Sequence, residues 1–188
     1  MALSIKDKLF ARYPIPRSLS IWGGDGVSTF AVSDLDALVE TCVDELRADL
    51  YVTEYITLTG MSTGVDPDVF AVVNARIIGG NFQGNTSVRV QLDRASNTVL
   101  CRYTPARATV RRYLRVSDLD TLQGAQLQYF LVYTLWRMAT TELAMLRAVT
   151  LSTDAGSINL DTLATFAESC SSEYERMKED IHLYTTGI

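Results

Sequence analysis

Apolar residues recur three and four positions apart in two parts of the chain, which is the spacing of an amphipathic helix. One of these segments covers residues 33–50 and the other covers residues 158–184. The second contains a heptad seam, whose members are Leu160, Leu163, Ala167, Cys170, Tyr174, Met177, Ile181 and Tyr184. Residues 117–149 are apolar almost all round, which predicts a helix buried between layers or subunits. A short helix is also predicted before Pro14 and Pro16.

The letters VSDLD occur twice, at 32–36 and at 116–120. In each copy a serine, Ser33 or Ser117, is followed three residues later by an aspartate, Asp36 or Asp120. A serine hydroxyl accepts from free amides of the first helical turn, and carboxylates favour the positive end of the helix dipole. Both copies are therefore predicted to begin helices.

The period changes to two between these helices. YVTEYITL and VFAVVNARII are rich in β-branched and aromatic residues, and three alternating segments follow between residues 88 and 116. Short polar links suit an antiparallel meander. We predict an α+β fold with long helices packed as a bundle around an inserted antiparallel β-meander. Residues 1–188 are expected to form a single domain, in which a β-rich insertion, 51–116, separates helix 33–50 from helices 117–149 and 158–184.

The composition is that of a globular protein, with 47% hydrophobic and 21% charged residues. No apolar stretch is long enough to span a membrane and the N-terminus lacks a secretory signal, so a soluble protein without a membrane partner is expected. Cys42, Cys101 and Cys170 are widely spaced and lie on apolar faces, which predicts buried free thiols. Intermolecular disulfides between them stay open as the alternative.

The sequence contains no recognisable catalytic constellation. Its one histidine, His182, lies near the C-terminus on an acidic helix, and the cysteines lack metal-ligand spacing. The glycine-rich stretches at 23–26 and 79–84 lack the signature of a phosphate-binding loop. We therefore expect a non-enzymatic protein with no cofactor and no metal ion. An enzyme with an unfamiliar site, built on His182 or a pair of acids, is the least favoured alternative.

Charge is segregated along the chain. Residues 76–115 contain eight arginines and one acid, a net charge of +7, although the whole chain carries −5. Helix 33–50 holds six acids and one base, and residues 160–184 hold six acids and two bases. The chain has fourteen arginines and three lysines, and the planar guanidinium suits pairing with carboxylate or phosphate. A basic strand region beside acidic helices is thus predicted.

The arginines are predicted to contact a partner. Carboxylates of an acidic helix in a second copy would produce heterologous contacts that can close into a ring. Phosphate is the alternative, which would make the chain a nucleic-acid-binding or scaffold module using its arginine-rich β face. A solvated sheet face is the third interpretation. The predicted partner-binding residues are Arg89, Arg102, Arg107, Arg111, Arg115 and Trp22, where Trp22 has a core position as its alternative.

The stretches LFARYPIPRSLSIWGGDG and TTELAMLRAVTLSTDAGSINLDTLATFAESCSSEYERMKEDIHLY resemble the neck, or head–tail connector, proteins of tailed bacteriophages. That resemblance implies a virion structural protein without an active site, made in the host cytoplasm and located at the head–tail junction. It would form a twelvefold adaptor ring or a sixfold stopper ring below the portal. Its partners would be copies of itself, the portal, and a tail or second neck protein, and DNA would pass through without specific binding.

Overall fold

The structure is a computed structural model that describes residues 4–17, 19–23, 33–78, 86–150 and 160–186. For residues 148–150 and 181–186 it describes the backbone only. Two compact units make up the chain. The helical unit comprises Met1–Asp49 and Arg115–Ile188, and the strand unit comprises Leu50–Leu114. The strand unit is therefore continuous in sequence, whereas the helical unit is assembled from the two flanks. Helices and antiparallel sheets together make the protein α+β, as predicted.

The helical unit contains four α-helices and one 3₁₀ helix among the described residues. They are α1 (Ile5–Phe10), α2 (Leu35–Glu45), the 3₁₀ helix (Val116–Thr121), α3 (Gly124–Thr150) and α4 (Leu160–Thr186). These positions confirm the predicted helices, with shorter bounds for the one predicted at 33–50 and a later start for the one predicted at 117–149. None of the described helices combines the length and apolarity needed to cross a bilayer.

The two VSDLD copies differ in structure. Before α2 the N-cap is Asp34 rather than the predicted Ser33, and its carboxylate accepts from the amides of Asp36 and Ala37 at 2.9 and 3.2 Å. The second copy forms the separate 3₁₀ helix, so the α-helix predicted from Ser117 begins only at Gly124. Asp120 instead accepts from the backbone amide of Ile5 at 3.0 Å. This aspartate therefore binds a free amide at the start of α1, whose N-cap is Ser4.

The predicted seam of α4 packs against α3. Leu163, Ala167, Cys170 and Tyr174 are buried on one side of α4. The Tyr174 ring is stacked against Tyr129 and Trp136, with centroids 5.2 and 5.9 Å away. Large aromatic side chains contribute most of the apolar area at such contacts. The two helices therefore form a pair held along this seam, and a larger bundle stays a prediction.

The strand unit contains six strands in two three-stranded antiparallel sheets. They are β1 (Tyr51–Leu58), β2 (Ser62–Gly64), β3 (Val69–Ile77), β4 (Val90–Asp93), β5 (Thr98–Cys101) and β6 (Ala106–Tyr113). Sheet A has the order β1-β6-β3, and sheet B has the order β2-β5-β4. The prediction of one meander is therefore wrong, because β6 lies between β1 and β3 instead of following β5 at an edge.

The centre of sheet A is occupied by β6, a strand whose inner face has small, buried apolar side chains. Its inward side chains Ala106, Ala108 and Val110 have no exposed surface, and they pack with Leu58 and Ala75 of the flanking strands. Val99 and Cys101 of β5 belong to the same core. Small apolar residues along one strand allow a second sheet to approach closely. The strand unit therefore has a hydrophobic core of its own.

Candidate assembly surfaces

The structure distributes the predicted partner-binding residues over four places. Arg107 and Arg111 lie on the outer face of sheet A, while Arg89 and Arg102 lie on the outer face of sheet B. Arg115 follows β6 in the helical unit and is half-buried, and its backbone amide donates to Asp118 at 2.9 Å. The arginines predicted as one stripe on neighbouring strands are thus separated, because their strands belong to different sheets.

Trp22 is buried, with 5% of its surface exposed. Its indole N–H donates to the carbonyl oxygen of Met138 in α3 at 3.3 Å. A side chain in this position supports the core of the helical unit, which is the alternative given above for this residue. Trp22 is therefore not an exposed anchor for a partner.

The outer face of sheet A carries its arginines on the central strand. Arg107 is exposed and lies between Thr57 of β1 and Arg76 of β3 in the register. Arg111 lies between Thr53 and Ala71. Arg76 and Arg107 therefore place two guanidinium groups at directly opposite positions of this face, and guanidinium groups suit carboxylate or phosphate.

An aromatic cluster holds Arg111 on the same face. The Arg111 guanidinium carbon lies 4.5 Å from the Tyr51 ring centroid. Phe70 packs edge-on against Tyr51 at 6.2 Å and stacks on Tyr113 at 4.7 Å. This cation–π contact restricts the arginine and so reduces the entropy lost when it binds a partner. The neighbouring Tyr55 is 72% exposed and adds apolar area to the face.

Arg112 occupies the opposite face of β6. It is buried, its Nε lies 3.4 Å from Glu54 Oε2, and its Nη1 donates to the Tyr113 carbonyl oxygen at 3.2 Å. The alternation of β6 thus divides the run of arginines, because neighbouring residues point to opposite sides of a strand. Arg112 belongs to the interior of the strand unit and not to an assembly surface.

A groove on the outer face of sheet B brings Arg89 and Arg102 together. Arg89 precedes β4 and Arg102 follows β5, and the pairing of Val90 with Cys101 brings the two arginines opposite each other. The groove has a volume of about 710 Å³, and its lining includes Met61, Leu100 and Tyr103. These three are among the exposed large hydrophobic residues, with Met61 71% and Tyr103 60% exposed. Apolar floor and basic rim together are typical of a protein contact.

The acidic counterpart is the exposed side of α4. Its exposed acids are Asp161, Glu168, Glu173, Glu175, Glu179 and Asp180. In α2, by contrast, several acids are engaged within the chain: Asp36 binds Lys6, and Glu45 binds Arg137, both at 2.7 Å. The hydrogen bond with Glu45 raises the pKa of Arg137. Of the two acidic helices, α4 therefore offers the larger free acidic surface.

Charge also divides between the two units. The strand unit has seven arginines and four acids, a net charge of +3, which leaves −8 on the helical unit. The contrast is smaller than the +7 of residues 76–115, because Glu54, Asp66 and Asp68 lie in the strand unit and Arg115 does not. Its direction is the one predicted from the sequence.

Sequence reasoning missed a buried carboxylate that fixes the N-terminal segment on α3. Glu142 has no exposed surface, and it accepts from the Tyr13 hydroxyl at 2.7 Å, the Ser20 hydroxyl at 2.8 Å and the Ile21 amide at 3.2 Å. Burial, and then the charge of Glu142, raise the pKa of Tyr13. The sequence did contain a signal for this carboxylate, because Glu142 is a single acid in a helix that is apolar almost all round. A buried carboxylate needs hydrogen-bond partners.

The described residues include no group of three or more His, Cys, Asp or Glu side chains placed to hold a metal ion. The side chain of His182 and the glycine-rich stretches at 24–26 and 79–84 lie outside the described residues, as do residues 158 and 159. Cys42, Cys101 and Cys170 are free and buried, as predicted. Burial raises the pKa of Cys42 and of Cys170 to about 11, so both are protonated near neutral pH.

Comparison with protein families, with curated proteins and with solved structures finds no match to this chain.

Proposed function

We propose that the chain is a non-enzymatic structural protein of a tailed-phage virion that assembles as a ring in the neck. One observation carries the proposal: Arg107 and Arg111 stand on the outer face of sheet A, while the same chain exposes a row of acids on α4. Joining the basic face of one copy to the acidic helix of the next is a heterologous contact. Repetition of such a contact closes a ring when the rotation between copies permits it.

Charge alone would bind too weakly for this assembly, since exposed ion pairs contribute only about 0–1 kcal/mol each. The aromatic cluster of Tyr51, Phe70 and Tyr113 and the exposed Tyr55 supply the apolar contact area on the same face. The charges would set register and speed encounter. Within the ring, α3 and α4 would belong to a helical bundle, and the groove on sheet B would serve the portal or a second neck protein.

The test is charge reversal followed by charge exchange. The Arg107→Glu, Arg111→Glu double variant should weaken self-association by about 100-fold, because each reversed charge costs roughly 1–2 kcal/mol at a contact with acids. Adding Glu168→Lys and Glu175→Lys in the same chain should restore assembly. Native mass spectrometry and negative-stain images measure both results.

The matched control is Arg12→Glu with Arg17→Glu, which makes the same change in net charge at exposed positions of the helical unit. It should leave the assembly intact. A wild-type chain that stays monomeric, even with portal and tail proteins added, contradicts the proposed ring.

A nucleic-acid-binding module is the second candidate, and the opposed pair Arg76 and Arg107 with Tyr55 nearby favours it, because phosphate suits paired guanidinium groups. The −8 charge of the helical unit would oppose a polyanion. Duplex DNA binding at about 0.15 M salt that is lost in the Arg107→Glu, Arg111→Glu variant, together with a monomeric wild type, would select this candidate over the ring.

A further inference from the structure

The two sheets have four edge strands, and three of them are protected against further pairing. β2 has three residues and β4 has four, too short for an extended ladder. β3 is interrupted by register shifts between Val69 and Ala71 and between Val72 and Asn74. Its outer edge also pairs with the segment after residue 85, through Val88 N to Ala75 O at 2.9 Å. Short edges, bulges and covering segments are the devices by which proteins prevent edge-to-edge association.

β1 has none of these devices. It is eight residues long and pairs with β6 in an unbroken register from Tyr51–Tyr113 to Leu58–Ala106. Among the described strands only β6 lies beside it. Its sequence, YVTEYITL, has no proline, glycine or lysine and one charged residue, Glu54. A long regular strand of this composition exposes unpaired amides and carbonyls that favour pairing with another strand.

We propose that β1 pairs antiparallel with β1 of a second copy, joining two copies of sheet A into one six-stranded sheet. We assign the partner strand to a second copy of the chain. The other three edge strands are protected, so two copies can pair along a full strand only through β1 and β1. The contact has two-fold symmetry and is isologous, so it is separate from the heterologous charged contact of the ring. It does not depend on the proposed function.

The side chains select the register of this pair. Directly opposite residues of an antiparallel pair point to the same face, so outer-face residues must oppose outer-face residues. A two-fold axis that passes between the Glu54 residues of the two copies satisfies this condition. It places two carboxylates opposite each other, which is unfavourable. With the axis at Tyr55, Tyr55 lies opposite Tyr55 of the second copy, and Thr53 lies opposite Thr57 of the second copy. Aromatic and threonine pairs stabilise a sheet, so the second register is the one we assign.

A cysteine cross-link tests the register in the full chain. The native thiols are buried, so Tyr55→Cys adds the one exposed thiol among the described residues. Mild oxidation should form a disulfide-linked dimer about tenfold or more faster than in Tyr103→Cys, because the pairing raises the effective concentration of the thiols. Tyr103 is a control outside β1 that is 60% exposed, against 72% for Tyr55. Equal rates in the two variants would overturn the register.

Amide exchange tests the pairing itself. In the wild type, protection of the β1 amides should rise with protein concentration. Tyr55→Lys places two lysines opposite each other and should abolish this rise, whereas Tyr103→Lys should keep it. Protection that is independent of concentration in the wild type overturns the proposal. The Arg107→Glu, Arg111→Glu variant should retain the β1 pairing, so failure of the charged contact and failure of the strand contact are distinguishable.

Discussion

Glu142 shows how one residue can determine the path of a chain segment. Tyr13, Ser20 and Ile21 each donate a hydrogen bond to its carboxylate, and Glu142 has no exposed surface. A buried charge with this many hydrogen bonds is stable where it is, but its partners cannot recover their bonds with water if it is removed. The positions of Tyr13, Ser20 and Ile21 on α3 therefore depend on this side chain.

Glu142→Ala should lower the free energy of unfolding by about 3–5 kcal/mol, because it leaves buried donors without an acceptor. Glu142→Gln retains one acceptor oxygen and should cost about 1–2 kcal/mol. Urea unfolding followed by circular dichroism measures both. Glu168→Ala, at an exposed acid of α4, is the control and should change stability by less than about 0.5 kcal/mol. Equal effects at Glu142 and Glu168 would contradict the role of the buried network.

Arg111 and Arg112 show which residue roles the sequence can predict. The alternation of β6 places them on opposite faces, and this much can be read from the pattern. That Arg112 is buried beside Glu54 could not be read, because the pairing of β1 with β6 is set by contacts distant in sequence. The aromatic cluster around Arg111 depends on the same register and was missed for the same reason.

At the scale of elements, positions were predictable and pairings were not. Apolar periodicity and β-branched content predicted α2, α4 and every described strand except the three-residue β2, since both are local properties of the sequence. The order β1-β6-β3 depends on contacts between residues distant in sequence, such as the pairing of Arg112 in β6 with Glu54 in β1, which a local pattern does not contain. The second VSDLD copy forms a separate 3₁₀ helix because the chain becomes extended at Leu122, before α3 begins at Gly124 with a φ of 58°.

Two tyrosines of α3 donate from their hydroxyl groups to carboxylates at the end of α2 and just after it. Tyr133 donates to Glu45 at 2.7 Å, and Tyr129 donates to Asp49 at 2.8 Å. Burial, and then the hydrogen bond to Glu45, raise the pKa of Tyr133 to about 12. Burial likewise raises the pKa of Tyr129. The helix pair is therefore linked to the protonated state of these phenols.

This linkage predicts a loss of stability in alkali. A group whose pKa is higher in the folded state stabilises fully below its ordinary value, here 10.0, and loses this contribution as pH rises through about 12. The free energy of unfolding should therefore fall between pH 10 and pH 12. Tyr133→Phe should make this fall smaller, and Tyr55→Phe, at an exposed position, should not change it. Urea midpoints measured across this range would contradict the linkage if all three proteins gave the same curve.

For the whole molecule, the division into two units is the main finding. The strand unit begins and ends on paired strands, since Tyr51 lies opposite Tyr113, and it has its own core. A segment whose two ends lie close together can be inserted in the sequence of another unit without distorting that unit. The charge difference between the units was predictable from composition, but the split of the arginines over two sheets was not.

The fragment Leu50–Leu114 should therefore fold without its flanks. A core of this size supports only marginal stability, about 2–5 kcal/mol. Cooperative urea unfolding and dispersed amide resonances of the fragment would be the expected result. The Val110→Asp variant of the fragment, which places a charge in the core, should be unfolded. A disordered wild-type fragment would show that the strand unit requires the helical flanks.

The central place of β6 also has a consequence for synthesis. The ribosome delivers β1 and β3 first, and both must wait for residues 106–113 before sheet A can form. During that interval two apolar strands lack the partner that separates them in the finished sheet, and the long closing loop makes the final step slow. A nascent chain paused before residue 106 is therefore expected to be prone to aggregation through these two unpaired strands.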